Sequence, residues 1–332
     1  MVIRLAAVAA LLALSVPVLA DDLKAPVEGL TDRNGPAPTA YRPVVDTFVI
    51  RLPWSQLQPA PGTLNTAPID AALAGGTSVR LRITAGVDAP AWLKGADPMP
   101  WYADGAQIGT IGHFWEPAFD AAYRDLQQRL AAAYDGDSRL REVAVSRCTT
   151  EFAEPYIRHI GQLALNRDAL EDAGYTAAAD DECHRDEIEA HAVWQRTRAY
   201  LAFNPFQRID ETTWTGRVDL PFTKTMIDYC RTTLGARCVL GNNSLDPDRP
   251  ATYVEMYEYI AAKGGPISYQ TATAAKICEG QSPCPAALWK ATLQLALDYG
   301  AGAVELPDGP TGYTSWPVAG LQTYDDQLTA VP

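Results

Sequence analysis

The sequence predicts a single α/β domain folded as a closed (β/α)8 TIM barrel with parallel strands. Short β-branched apolar segments alternate with amphipathic helical segments along most of the 332 residues. No Gly-x-Gly-x-x-Gly or Walker motif follows any of these strands, which argues against the common nucleotide-binding open sheets. Polar and aromatic residues instead collect directly after the strands, at the end where parallel barrels hold their sites.

Residues 1–20 have the pattern of a secretory signal peptide. They contain one basic residue, Arg4, then an apolar run over 5–14, and they end in small and apolar residues before Asp21. This run is too short for a membrane anchor, and no later apolar run approaches the roughly 18 residues of a membrane span. We therefore expect a secreted or periplasmic protein without a membrane partner, whose barrel domain comprises residues 21–332.

The strand segments of the barrel are read from β-branched apolar runs that end in polar residues or proline. A weak first strand is expected near residues 37–42. The other expected strands are 47–54, 78–84, 142–146, 198–204, 238–243, 266–270 and 303–307. Residues 302–306 should pair with the chain before residue 54, because a closed barrel has no free edge.

The helix segments follow the strands and are read from the 3.6-residue spacing of apolar side chains. Pro117 suits the first turn of one of them, in which Phe119, Tyr123, Leu126 and Leu130 recur at helical spacing. The expected helices are 68–75, 117–134, 180–197, 222–234, 251–263 and 285–299. The long segment 85–113 is expected to be a functional loop, because its tryptophans argue against disorder.

The charge of the chain limits its partners. A formal net charge of −13 repels nucleic acid and anionic membranes. No cluster of lysine and arginine stands out along the sequence, so a neutral or cationic ligand is expected rather than a polyanion.

Six cysteines in an exported chain suggest disulfide bonds rather than a zinc site, because no Cys-x-x-Cys pair is present. Fifteen pairings are open. We expect Cys230 to bond Cys238 and Cys278 to bond Cys284, because each pair closes a short excursion between neighbouring elements. Cys148 and Cys183 are then left for each other. We expect neither a metal nor a cofactor.

Several short motifs resemble the retaining (β/α)8 glycoside hydrolases of clan A, which include cellulases and β-galactosidases. The matching segments are Arg51-Leu52-Pro53-Trp54, Gln58-Pro59, Ala89-Pro90-Ala91-Trp92-Leu93 and Ala153-Glu154-Pro155. The resemblance covers residues 45–310 as architecture and 45–158 as recognisable motif. It implies a carbohydrate ligand in a cleft at the carboxyl ends of the strands.

The resemblance also implies roles for individual residues. Glu154 matches the acid/base glutamate that follows the fourth strand, although Ala153 stands where the family has asparagine. Arg51 matches the arginine that orients the nucleophile. Gln270 stands at the end of the seventh strand, where the family nucleophile is a glutamate, and an amide cannot attack an anomeric carbon.

The second carboxylate of a hydrolase is left open by the sequence. Hydrolysis of a glycoside needs two carboxyl groups on either side of the scissile bond. Glu305 and Glu151 are the candidates besides Glu154. If Glu305 is the partner, its separation from Glu154 should be about 6.5–9.5 Å, as in inverting enzymes. The alternative interpretation of Glu151 and Glu154 is an ion pair with a nearby arginine.

The remaining candidate ligand contacts are aromatic and amide side chains. Indole rings stack on the apolar faces of sugars, although tryptophans at strand ends also cap barrel cores. The candidates for substrate binding, besides Arg51 and Gln270, are Trp54, Trp92, Trp101, Trp115, Trp316, Asn242 and Tyr269. His184, Glu187 and His191 share one helical face, which is expected to be solvated rather than to bind a metal.

Three functions remain open at this point. The first is a secreted glycosidase that acts on a neutral poly- or oligosaccharide, with Glu154 as general acid/base. The second is a non-catalytic carbohydrate-binding barrel that has lost its nucleophile. The third is a barrel protein of cell-surface assembly with a closed mouth.

Overall fold

The computed structural model of the protein describes residues 22–160, 164–309 and 311–331. The predicted signal peptide, residues 1–20, lies outside the described residues.

Twelve strands are present in the described part of the chain. They are β1 (Gly29–Asp32), β2 (Val45–Pro53), β3 (Ser78–Thr84), β4 (Met99–Ala103), β5 (Ala106–Ile111), β6 (Leu140–Ala144), β7 (Arg198–Ala202), β8 (Gln207–Asp210), β9 (Thr215–Val218), β10 (Cys238–Leu245), β11 (Ile267–Thr271) and β12 (Ala303–Leu306). Eight of them form a closed barrel in the order β1-β12-β11-β10-β7-β6-β3-β2.

All neighbouring strands of the barrel run parallel, and the ring closes between β12 and β1 in the register Gly29 to Ala303. The predicted closed (β/α)8 barrel is therefore confirmed, including the pairing of residues 302–306 with the chain before residue 54. The other four strands form two antiparallel hairpins, β4–β5 and β8–β9.

The first barrel strand does not lie where the sequence analysis expected it. Residues 37–42 form turns, and the strand is β1, whose four residues are all buried. Pro36, Pro38 and Pro43 surround the expected position, and proline has no N–H to donate to a sheet ladder. The sequence of β1, Gly-Leu-Thr-Asp, has a single β-branched residue and is too short to show the pattern of a strand.

Eleven α-helices are present in the same described ranges. They are α1 (Trp54–Leu57), α2 (Ala67–Leu73), α3 (Ala91–Lys94), α4 (Pro117–Tyr134), α5 (Ala164–Asp172), α6 (Ala177–Ala190), α7 (Leu220–Leu234), α8 (Ala251–Ala262), α9 (Ala274–Ile277), α10 (Ala286–Asp298) and α11 (Val318–Thr329). Of these, α1, α3, α5, α9 and α11 were not predicted. None of these helices combines the length and apolarity that a membrane crossing requires.

The long segment between β3 and α4 is largely ordered as the β4–β5 hairpin rather than as an irregular loop. Asp104 and Gly105 connect its strands, and both have positive φ, at 49° and 81°. An Asp-Gly pair of this kind suits the two-residue turn of a hairpin.

Two apolar clusters fill the space between the barrel and its helices. One contains side chains such as Leu81, Leu126 and Leu140, and the other contains side chains such as Leu240, Ile260 and Leu293. The inside of the barrel is different, because charged side chains cross it. Arg80 on β3 contacts Glu142 on β6 at 2.7 Å and Ser268 on β11 at 2.7 Å.

Three disulfide bonds join Cys148 to Cys183, Cys230 to Cys238 and Cys278 to Cys284. These are the three pairs that the sequence analysis chose among the fifteen. The first connects the segment after β6 to helix α6, so it fixes one side of the barrel mouth. The other two close short connections of 8 and 6 residues.

Candidate functional site at the barrel mouth

A cavity of about 280 Å³ opens at the carboxyl ends of the barrel strands. Its walls come from the ends of β2, β3, β10 and β11 and from the segments that follow β1, β6 and β11. The lining residues are Arg33, Arg51, Arg82, Phe152, Ala153, Glu154, Arg158, Asn243, Ser244, Arg249, Gln270, Thr271, Ala272, Thr273 and Lys276. Three of the predicted site residues are therefore together here, namely Arg51, Glu154 and Gln270.

Glu305 lies beneath this cavity and is completely buried. Arg82 donates to both of its oxygens, at 3.0 and 2.8 Å. Arg33 and Arg80 approach the same carboxylate at 3.5 Å each. Because β12 and β3 are not neighbours in the ring, the Arg82 contact crosses the barrel interior.

The state of Glu305 follows from these partners. Burial alone would raise the pKa of its carboxyl, but the positive charges of Arg82, Arg33 and Arg80 outweigh burial and lower it. Glu305 is thus an ionised carboxylate whose oxygens face guanidinium groups and have no exposed surface. Its carboxylate has no exposed surface at the mouth, and its role in a catalytic pair with Glu154 stays a prediction.

Glu154 is the sole carboxylate among the described residues that line the cavity. Its side chain is 9% exposed and forms an ion pair with Arg158. Asn204, which lies just after β7, donates to the same oxygen at 3.0 Å. Both alternatives of the sequence analysis are therefore present together, since Glu154 faces the cavity and is also paired with an arginine.

Asn242 does not line the cavity, and it acts on Glu154 through Asn204, which donates to the Glu154 carboxylate. It is completely buried, and its amide donates to Asn204 Oδ1 at 2.9 Å and to the carbonyl of Phe203. Its carbonyl accepts from Tyr257 at 3.0 Å and from the Ser244 N–H at 2.8 Å. With every polar atom of its side-chain amide satisfied, Asn242 orients Asn204, and its contact with a ligand stays a prediction.

The segment between β6 and α5 carries Glu154 and is held to the barrel at several points. Glu187 on α6 accepts from the backbone N–H groups of Arg147 and Cys148, at 2.7 and 2.9 Å. On the other side, Gly86 has φ +55° and approaches so closely that a Cβ there would lie 2.2 Å from the Thr150 carbonyl oxygen. Only glycine fits this position without moving the segment.

The helical face with His184, Glu187 and His191 is buried, not solvated as expected. His184 contacts Glu187 at 2.9 Å and Asp180 at 3.5 Å. Burial alone would lower the pKa of His184, but the two carboxylates outweigh burial and raise it. Although His184, Glu187 and Cys148 lie close together, Cys148 is bonded to Cys183 and offers no thiolate to a metal.

Glu151 lies in the segment after β6, and its catalytic role stays a prediction. Its carboxylate contacts His159 at 2.8 Å, in a partly exposed pair. It does not belong to the cavity lining. The interpretation of Glu151 as a paired loop carboxylate fits this position, with His159 in place of the expected arginine.

The predicted aromatic residues are packed around the barrel rather than arranged in a sugar-binding cleft. Trp54, Trp101 and Tyr269 are completely buried, and Trp316 stacks on Trp289 in the helical layer. Trp92 donates to the Gln58 carbonyl at 3.1 Å, and Trp115 stacks on His113. None of these six residues lines the cavity, so their predicted ligand contacts are not supported.

Gln270 lies in the cavity wall with both ends of its amide engaged. It accepts from Arg82 at 2.8 Å and donates to the Asn243 carbonyl at 3.1 Å. An amide satisfies both contacts because it has a donor and an acceptor, whereas a carboxylate could only accept. The neighbouring carbonyl therefore explains why an amide suits this position.

The structure assembles a basic cluster that the sequence analysis did not find. Six of the lining residues are cationic, and they come from separate parts of the chain: Arg33, Arg51, Arg82, Arg158, Arg249 and Lys276. The expectation that the chain has no basic patch is therefore wrong. The cluster does not correspond to a run of basic residues in the sequence. Its members lie on or after different strands, and closure of the barrel brings the ends of these strands together.

Comparison with known proteins gives relationships of fold but not of sequence. No protein-family model matches the sequence, and no curated protein matches it. The chain shares its barrel with a β-galactosidase. This is the enzyme from Rahnella sp. R3, with a TM-score of 0.53 and 12% identity over 93% of this chain and 57% of the enzyme. The chain thus spans less than two thirds of the length of that enzyme.

Two other solved structures are more distant in shape. Endo-glycoceramidase II from Rhodococcus sp., as a lactosyl-enzyme intermediate, has a TM-score of 0.39 and 16% identity over 75% of this chain and 73% of its own. Aspergillus fumigatus Ega3, in complex with galactosamine, has a TM-score of 0.44 and 11% sequence identity. The match covers 89% of this chain and 94% of the Ega3 chain. The resemblance to glycoside hydrolase barrels is confirmed for the fold, whereas a loss of the nucleophile at Gln270 stays a prediction.

Several functional residues were missed in the sequence, and two of them left a usable signal. Arg80 and Arg82 alternate with apolar residues in the strand Val79–Ile83, so both point to one face of a buried strand. Buried arginines require anionic partners, and this requirement could have led to Glu142 and Glu305. Asn204, Arg158, Arg249 and Lys276 carry no comparable local pattern.

Proposed function

We propose that this protein is an exported carbohydrate-binding barrel of the glycoside hydrolase type, which binds a saccharide at its mouth without hydrolysing it. The observation that carries this proposal is the state of the carboxylates. Glu154 alone lines the cavity among the described residues, whereas Glu305 is enclosed by three arginines. The retaining and the inverting mechanism of glycoside hydrolysis by a carboxylate pair each need two carboxyl groups at the ligand.

The polar character of the cavity supports a saccharide as the ligand. Asn243, Ser244, Thr271 and Thr273 offer amide and hydroxyl groups, and Phe152 offers an aromatic face. Arg158 lies over the Phe152 ring, with 4.6 Å between the guanidinium carbon and the ring centroid. Mixed hydrogen-bonding and apolar surfaces of this kind suit the hydroxyl and C–H faces of a sugar ring.

Export is part of the proposal and rests on two observations. The first is the signal-peptide pattern of residues 1–20. The second is the presence of three disulfide bonds, since disulfides form and persist mainly in oxidising compartments.

The experiment is a panel of oligosaccharides measured for binding by calorimetry and for release of reducing ends. We expect binding without release. Glu154→Gln should change affinity because it alters the ion pair with Arg158, and Glu151→Gln serves as a matched control outside the cavity. Release by the native protein that is lost in Glu154→Gln would instead establish a hydrolase with Glu154 as proton donor. A panel in which no saccharide binds would refute the carbohydrate ligand.

A further inference from the structure

The barrel mouth has the opposite charge to the molecule that carries it. Six cationic side chains and one carboxylate, Glu154, line the cavity. Adding the buried Glu305 beneath it leaves an excess of cations at this site, in a chain whose formal net charge is −13. Like charges that share one cavity repel each other. The excess of cations at the mouth therefore costs free energy in the folded protein when no anion is bound.

The six cations are not equally engaged. Arg33 and Arg82 are bound to Glu305, and Arg158 is bound to Glu154. Arg249 donates to the Ser244 carbonyl at 2.9 Å and lies 3.9 Å from Asp246. Arg51 and Lys276 form no ion pair within the residues that the structure describes.

The two unpaired cations belong to different walls of the cavity. Arg51 projects from β2 and is exposed, and Lys276 lies on the short helix α9 that follows β11. In the ring, β2 and β11 are separated by β1 and β12. A ligand in the cavity can therefore meet positive charge from two directions, together with Arg249 on the rim after β10.

The electrostatic environment of Arg51 also favours an anionic ligand. Although Arg51 is an exposed residue, partial burial of its guanidinium in the cavity wall lowers its pKa, and the nearby charge of Arg82 lowers it further. The protonated form is thus less favoured than for a free arginine, and an anion placed beside Arg51 would remove part of that penalty.

We propose that the saccharide bound at the mouth is anionic and carries a carboxylate or a sulfate ester that binds Arg51, Arg249 and Lys276. This inference rests on the proposed carbohydrate-binding function and specifies its ligand class. Arginine binds planar or tetrahedral oxyanions through charge-assisted hydrogen bonds, which are about twice as strong as neutral ones. The negative charge over the rest of the protein selects against extended polyanions such as nucleic acid, so the anionic group must enter the cavity itself.

The test uses the mature protein and four probes that separate the sources of charge. Cellotetraose is neutral, tetragalacturonate carries carboxylates, a κ-carrageenan tetrasaccharide carries sulfate esters, and sodium sulfate provides the anion without a sugar. We expect at least one of the two acidic saccharides to bind about tenfold more tightly than cellotetraose at low salt. That preference should decrease in 0.3 M NaCl, because salt screens charges at this range.

Charge-removing variants locate the site of binding. Arg51→Gln and Lys276→Gln should each weaken binding of the preferred acidic saccharide by about five- to tenfold and reduce its dependence on salt. Lys290→Gln removes one positive charge from an exposed position on α10 outside the cavity. This control should leave the affinity within about twofold of the native value, because Lys290 does not line the cavity and the field of an exposed charge is screened by salt.

The outcomes separate the two proposals. Cellotetraose binding as tightly as the acidic saccharides, with no effect of Arg51→Gln or Lys276→Gln, would overturn the anionic ligand while the carbohydrate-binding function stands. Binding of sodium sulfate alone, with no saccharide bound, would overturn both. The preference for one acidic saccharide over the other decides between carboxylate and sulfate.

Discussion

Glu305 is the residue whose surroundings most restrict the function of this barrel. A carboxylate at this depth is costly to bury unless it is paired and hydrogen-bonded. Arg33, Arg80 and Arg82 provide that pairing from two other strands or strand ends. The same charges that stabilise Glu305 also keep it from acting as a proton donor, because they lower the pKa of its carboxyl.

Replacing Glu305 by glutamine should destabilise the protein by about 3–5 kcal/mol, because the buried Arg33 and Arg82 then lack their anionic partner and Arg80 keeps only Glu142. The measurement is urea unfolding of the native protein and of Glu305→Gln at pH 7. Since the folded-state pKa of Glu305 lies below 4.5, its contribution is present above pH 4.5 and is lost as the pH falls through that lower value.

The matched control is Glu151→Gln, which disrupts a partly exposed contact with His159. Partly exposed pairs contribute about 0–1 kcal/mol. A loss of stability in Glu305→Gln no larger than in this control would contradict the central role of the three arginines.

At the scale of elements, the segment after β6 depends on helix α6 for its position. The Cys148–Cys183 bond joins the two, and Glu187 accepts from two backbone N–H groups of the same segment. This segment then carries Phe152, Glu154 and Arg158 into the cavity wall. The ligand-binding geometry therefore relies on α6, which does not itself line the cavity.

Removing this disulfide by the double substitution Cys148→Ser/Cys183→Ser should cost about 2–4 kcal/mol, because the bond constrains the unfolded chain. Hydrogen exchange of residues 148–158 should become faster in the native state, since one of their anchors is gone. Cys278→Ser/Cys284→Ser is the control, as it removes a bond that closes only 6 residues. Equal exchange of residues 148–158 in both variants would show that Glu187 alone holds the segment.

Helix α11 contacts the first barrel strand through a carboxylate. Asp325 accepts from the Leu30 N–H at 2.9 Å. Burial raises the pKa of Asp325 to about 6, so the folded state disfavours its ionised form above that pH. Asparagine keeps the acceptor oxygen and removes the charge.

Asp325→Asn should therefore stabilise the protein at pH 7.5 by about 1–2 kcal/mol, a figure reduced because the side chain is partly exposed. The gain should disappear towards pH 4, where the native carboxyl is protonated. Thermal or urea unfolding at both pH values measures it. Asp326→Asn, at an exposed position on the same helix, should show no such pH-dependent gain, and an equal gain there would point to general charge reduction.

For the whole molecule, the barrel separates two kinds of interior. The space between strands and helices is mainly apolar, apart from the buried polar residues of α6, whereas the inside of the barrel contains the charged side chains of Arg80, Arg82, Glu142 and Glu305. Outside the barrel, the buried His191 contacts Tyr123 at 3.0 Å. Burial lowers the pKa of His191 to about 3, with a further contribution from Arg237.

The pH dependence of global stability should reflect His191. The unfolded chain binds a proton to this histidine below its ordinary pKa of 6.5, and the folded chain does not until about pH 3. As the pH decreases from 6.5 towards 3, protonation of His191 in the unfolded chain should therefore lower the free energy of unfolding by about 1.4 kcal/mol per pH unit. Urea unfolding from pH 7 to pH 4.5 should show a smaller slope for His191→Phe than for the native protein.

The control is His113→Gln, which alters a partly exposed histidine and should keep the native slope. An unchanged slope in His191→Phe would mean that His191 is protonated in the folded protein. His184 contributes with the opposite sign, because its folded-state pKa is raised. Its stabilisation is present below pH 6.5 and is lost as the pH rises through the folded-state value.

Local sequence patterns were sufficient to predict the barrel. The runs at 78–84, 238–243 and 303–307 are rich in apolar, β-branched residues because both faces of each strand are buried. Runs of this kind are typical of parallel sheets covered by helices, so they predict an α/β fold. The disulfide pairs also followed from spacing, since Cys230–Cys238 and Cys278–Cys284 are near neighbours in the chain. The first strand was missed because four residues are too few to show a period.

The candidate site depended on contacts that no local pattern contains. Glu305 met the same sequence criteria as a catalytic carboxylate, and only the positions of Arg33, Arg80 and Arg82 identify it as a buried ion pair. Trp54, Trp101 and Trp316 were indistinguishable from sugar-binding residues in the sequence, and only their packing shows that they belong to the core. The charge of the mouth likewise emerges from Arg51, Arg249 and Lys276, which lie far apart in the chain and meet only when the barrel closes. Secondary structure and core patterning are local properties that the sequence alone determines, whereas the ionisation, exposure and partners of a side chain depend on distant residues and are decided by the tertiary structure.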